Sequence, residues 1–168
     1  MTGDQAKFYV GQLVNTLRFE MGTTAKVLAA VTEEGRSYRP DPKSRTAWEL
    51  ATHIATGDVW FITSALNGSF VWDGEANKAV EAQLKTVHDV VDFYKREFGA
   101  ALDRAASAPV DVLTREVDFF GQMKMPAVNY LMLTITHSVH HRGQLAAYLR
   151  ALGSKVPNIY GASGDAEQ

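Results

Sequence analysis

The chain has 168 residues, enough to bury one hydrophobic core, and is read as a single domain over 1–168. Its formal net charge of -2 leaves no basic surplus for a nucleic-acid backbone, and the absence of cysteine excludes disulfides, thiolate metal sites and a cysteine nucleophile. No apolar run reaches membrane-spanning length and no basic region followed by an apolar run opens the chain, so neither a membrane nor a secretory signal is expected and the cytoplasm is the default location.

Four long segments carry a helical period. In the first, Leu13, Leu17, Met21, Thr24, Leu28 and Val31 recur at three and four, and Thr2 with Gln5 has the spacing of a capping box. Gly35 and Arg39 to Pro42 end it and form a linker. The second starts at Thr46 and Glu49, again with capping-box spacing. It continues through Leu50, Ile54, Phe61 and Ala65, and closes at Asn67-Gly68. The third is expected to be one unbroken helix from Glu75 to Ala106, with Val80, Leu84, Val87, Val91, Tyr94, Phe98 and Leu102 on one stripe. At ~1.5 Å rise, such a helix would be ~45 Å long. Thr114 to Met125 alternates around Gly121 and reads as a short strand-like excursion. The fourth helix is expected to start at Pro126, a good first-turn residue, and to run to Gly153, with Pro157 beyond it. Residues 162–168 read as a frayed tail. Four helices with one dominant apolar stripe each predict an all-α four-helix bundle.

Three of the five histidines fall between His137 and His141, on the apolar side of the fourth helix. Residues four apart stack on one face, so His137 and His141 point the same way and can share one divalent ion. His140 is an alternative partner for His137 at i, i+3. His53, mid-way along the second helix beside Leu50 and Ile54, is the third candidate ligand, because bundle cores build metal sites from facing helices. His88 lies off the third helix's stripe and is a poor one. The competing reading is that these histidines merely pack.

The segment "HSVHHRGQLAAYLRALGSKVPNIYG" resembles the last helix of the DinB-like (DinB/YfiT) superfamily. It does so through His137, the His141-Arg142-Gly143-Gln144 block, Leu149-Arg150, Leu152-Gly153 and Pro157. Trp48, Leu50, His53, Asp58 and Trp60 match the family's second-helix pattern more loosely. The resemblance implies an up-down-down-up bundle holding one divalent ion, nickel or zinc, on His53, His137 and His141, with His140 a neighbour. It also implies a homodimer, and relatives that are thiol-dependent S-transferases or isomerases using bacillithiol or mycothiol, or metal-dependent hydrolases.

A metal-bound water would make a hydrolase, and a metal-bound external thiol would supply a thiolate for S-transfer. The expected function is thiol-dependent S-transfer on a small-molecule substrate. The alternatives are hydrolysis and a non-catalytic metal-binding stress protein. Which residues act catalytically is unknown from sequence. Each ligating histidine needs an acceptor for its second N–H. Asp58 and Gln144 are the candidates, although Asp58 also reads as a solvated surface carboxylate. Arg142 is expected to face a cosubstrate carboxylate or water. Tyr148 and the three tryptophans are expected to pack.

Overall fold

The computed structural model describes residues 1–166. Helix α1 (Gly3–Ala29) opens with the expected capping box. Thr2 Oγ1 accepts from Gln5 N, and Gln5 Oε1 accepts from Thr2 N. A 3-10 turn at Glu34–Ser37 precedes α2 (Ala47–Asn67). The Thr46–Glu49 box starts α2 and Gly68 ends it, at a φ of 87° that favours glycine.

The long third helix does not form as one rod. The segment divides into α3 (Gly74–Glu81), α4 (Val87–Phe93), a π-helical turn (Tyr94–Phe98) and α5 (Gly99–Ser107). The break has a local cause. Asp89 Oδ2 accepts from Lys85 N and Thr86 N while Thr86 Oγ1 accepts from Asp89 N, so a new capping box starts a new helix. The apolar stripe reads through the break because Leu84, in the loop, still turns inward and is buried. From Val91 through Tyr94 and Phe98 to Leu102 the stripe is core; α3 buries no residue.

A short α6 (Val110–Thr114) leads into an antiparallel hairpin of β1 (Glu116–Phe119) and β2 (Met123–Pro126). This is the strand-like excursion, and Gly121 takes a φ of 70° at its turn. Pro126 ends β2 with extended backbone instead of opening the helix. Helix α7 runs over Tyr130–Ala151, and Gly153 at φ 71° closes it. The tail is tied down through Asp165, which pairs with Arg150 and accepts from Val156 N; residues 167–168 of the expected frayed tail lie outside the described residues.

Contacts fix the helix directions. Lys7 Nζ reaches Ala108 O, and Val87 N donates to Glu33, so α1 and α4–α5 run oppositely. Arg104 pairs with Asn67 at the far ends of α5 and α2, which therefore run together. Thr2–Lys7 and the start of α7 share one end of the molecule, and Gly35 meets Leu152 at the other. The bundle is thus up-down-down-up. Its core is built on Leu17, Leu28, Leu50, Ile54, Leu131 and Leu145, all nearly inaccessible to solvent. A second cluster under the hairpin joins Phe70, Val117 and Tyr130. Antiparallel α2 and α7 lie side by side, which brings the histidines of both to one level.

Candidate metal centre

His53 of α2 faces His137 and His141 of α7. His53 Nε2 lies 3.2 Å from Nε2 of each. One ligating atom from each residue can be chosen so that all lie within 4.8 Å of one another. The structure thus brings the three sequence-predicted imidazoles together at one point. His140 points out to solvent with only a ring-edge contact to His141, and His88 pairs with Asp92 on the surface.

The outer hydrogen bonds set the tautomers. His137 Nδ1 lies 2.8 Å from Asp58 Oδ1, and His141 Nδ1 lies 2.8 Å from Gln144 Oε1. A carboxylate and an amide oxygen only accept, so both Nδ1 atoms carry the proton. Both Nε2 lone pairs then face His53. Burial first, followed by Arg45 and the two neighbouring imidazoles, pushes His53 down to about 3, so it is neutral at pH 7. His141 is lowered too, chiefly by burial, against the upward pull of Gln144. Three ring nitrogens thus crowd one point beside a neutral His53. A cation relieves that arrangement, and the spacing suits one: metal–nitrogen bonds of ~2.0–2.1 Å at tetrahedral angles put the nitrogens ~3.4 Å apart. The residues present fit a divalent ion.

Asp58 is not on the surface. It is fully buried, and its Oδ2 accepts from Tyr94 Oη at 3.0 Å. About 140° around α2 from His53, it serves His137 across the helix interface instead of its own neighbour. Burial and then the Asp58 charge hold the Tyr94 phenol well above its usual range, so it remains a donor. Tyr94 opens the π-helical turn, a feature that recurs at functional sites. Nothing in the apolar stripe distinguished it from a core aromatic.

Arg142 is also buried, contrary to the expectation of a solvent- or cosubstrate-facing role. It is 1% exposed and donates to Glu20 Oε2, Thr24 Oγ1 and Tyr160. Thr24 Oγ1 lies 3.2 Å from Ser138 Oγ, so this polar group runs along the α1–α7 seam. Two other features were missed by sequence. A Cβ on Gly57 would lie 2.9 Å from His137 Cε1, so α2 needs a glycine where the ring docks. Phe61 walls the same ring at 5.1 Å. Tyr148 packs edge-on against Tyr38, Trp48 lies under Arg36, and Trp60 sits amid Phe61, Phe70 and Trp72, as packing roles require.

Among the described residues no helix is long and apolar enough to cross a membrane. Comparison with known proteins agrees with the fold. The uncharacterized protein YrdA of Bacillus subtilis (strain 168) is 30% identical over 145 residues, covering 85% of this chain and 83% of YrdA. The crystal structure of a DinB-like protein from Bacillus cereus ATCC 10987 superposes with a TM-score of 0.70 at 27% identity, over 88% of this chain and 95% of that one. The crystal structure of the DinB-like protein YjoA of Bacillus subtilis gives 0.70 at 24% identity, over 90% and 99%, and so shares the fold. Residues 3–167 match the DinB family model, and with the up-down-down-up bundle and the His137–Gln144 block already in place, the chain belongs to the DinB family.

Proposed function

We propose that this protein is a divalent-metal-dependent enzyme, with nickel or zinc held by His53, His137 and His141, that transfers a low-molecular-weight thiol to a small electrophile. The observation that carries the reading is the convergence of three Nε2 atoms, two of them with tautomers fixed from behind. When bound, such an ion lowers the pKa of a thiol or water that it coordinates. The chain's own groups do the rest. Asp58 and Gln144 orient the α7 imidazoles, Tyr94 holds Asp58, and Phe61 with the α2 backbone at Gly57 shields the His137 ring. With no cysteine in the chain, a thiol nucleophile has to arrive as cosubstrate. Exposed Phe8 and Phe19 on α1 are available to a second copy, in keeping with a homodimer.

The test uses zinc- or nickel-loaded protein with a chloronitrobenzene electrophile, with and without a small thiol. Thioether formed only when both metal and thiol are present supports the reading. Ester or amide turnover without thiol would replace it with a hydrolase.

Gly57→Ala probes the close approach directly. Alanine favours the helix over glycine by ~0.5–1 kcal/mol, so helix propensity alone would stabilise the protein. Because the added methyl must displace His137, zinc affinity is expected to fall about tenfold, as for a displaced ligand shell. Calorimetric zinc titration of both proteins checks this.

A further inference from the structure

A cleft of ≈ 600 Å³ opens beside His53 and is walled by Arg39, Lys43 and Arg45 from the linker between α1 and α2. Two of these cations are unlike the rest of their kind. Among the described residues, Arg39 and Arg45 make no ion pair or side-chain hydrogen bond, whereas every other arginine donates to a carboxylate, an amide, a hydroxyl or a backbone carbonyl. The linker that carries them is pinned. Asp41 accepts from Lys43 N and Ser44 Oγ, Ser44 N donates to Asp41 O, and Ala47 N donates to Tyr38 O. The local carboxylate is thereby spent on the turn. The two acids that line the cleft are engaged as well: Glu49 accepts from Thr46 N in the helix cap, and Glu81 from Asn77 Nδ2. Two guanidinium forks are left without a hydrogen-bonded partner, although after the two Thr46 bonds their charge also helps hold the Glu49 carboxyl below its usual range. An unpaired fork matches the two oxygens of a carboxylate or phosphate.

The other side of the cleft is apolar. Trp72 and Asn77 line both the cleft and a pocket of ≈ 240 Å³ whose wall includes Val59, Trp60, Val80 and Phe93. A dry cavity of ~150 Å³ is enough for benzene. The pocket lies one to two turns beyond His53 along α2, so the basic wall and the apolar pocket flank the histidine face.

We propose that the site takes an amphiphilic oxyanion: its carboxylate or phosphate sits against Arg39 and Arg45, its apolar arm enters the Trp60–Trp72 pocket, and its middle passes His53. The assignment deepens the metal-dependent reading, on which it rests for the word substrate; binding of the anion itself needs only the cleft.

The experiment titrates metal-free protein with 4-phenylbutyrate, 4-phenylbutyl phosphate and the neutral 4-phenylbutanamide, following Trp60 and Trp72 by fluorescence. The same titrations are run on Arg39→Gln/Arg45→Gln, whose exposed positions leave the core untouched. Either anion is expected to bind wild type at least tenfold tighter than the amide, and the better of the two identifies the head group. The double variant should lose that advantage and keep the amide's affinity. Equal affinity for anion and amide in wild type, or an unchanged preference in the variant, would overturn the proposal. Zinc titration of both proteins runs in parallel. Failure to bind zinc with the anion preference intact would count against the metal reading alone.

Discussion

Arg142→Leu, made alone, is expected to destabilise the protein by roughly 3–5 kcal/mol, the range for stripping one partner from a buried ion pair. For a domain of this size that is a drop of roughly 10 °C in Tm. The cause is what the substitution leaves behind. Glu20 is 7% exposed and would keep only the Tyr160 hydroxyl against its carboxylate. Thr24 would also lose its guanidinium donor. Glu20→Leu/Arg142→Leu removes both charges, and much of the loss should be recovered because an apolar pair of similar volume is not penalised in the same way. Thermal and urea unfolding of the two single variants and the double variant closes the cycle. An Arg142→Leu protein as stable as wild type would mean that the Glu20–Arg142 contact does not hold the α1–α7 seam.

Asp58→Asn carries the second large effect, this time on the ion. The amide retains an oxygen for His137 Nδ1 but removes the negative charge behind the imidazole. Outer partners of metal-ligating histidines are worth roughly 10–100-fold in affinity. Zinc affinity is expected to fall by that factor, and competition with a chromogenic chelator measures it. Tyr94→Phe, which removes one donor from the same carboxylate, should have a smaller effect in the same direction. An unchanged affinity in Asp58→Asn would show that Asp58 serves packing only.

The parts of this protein that a sequence shows are those decided by short-range chemistry. Thr2 with Gln5 and Thr46 with Glu49 cap their helices where the spacing puts them, and Asn67-Gly68 stops α2. His137 and His141 share a face because four residues make one turn. The misreadings have the opposite character. The stripe from Val80 to Leu102 kept its period across a loop, so it concealed the Thr86–Asp89 cap that breaks the rod. Pro126 suits a first helical turn, yet strand pairing with Glu116 claimed it. Asp58 reads equally as a histidine's acceptor, which it is, and as a solvated carboxylate, and Arg142 reads as facing a cosubstrate or water, because their partners, His137 and Glu20, are 79 and 122 residues away. A one-dimensional pattern holds no trace of which charge meets which across the bundle. Tyr94 and Gly57 were invisible for the same reason: each matters only because α4–α5 or α7 lies against α2.

The metal content of protein purified without an affinity tag, for wild type and His137→Ala, each incubated with zinc or nickel and then desalted, reaches the root of this account. The metal-dependent reading depends on imidazoles from α2 and α7 closing around one ion. One divalent ion per wild-type chain, lost in the variant, is the predicted result. A wild-type chain that stays metal-free in the presence of either ion, or a variant that retains its full complement, would contradict it.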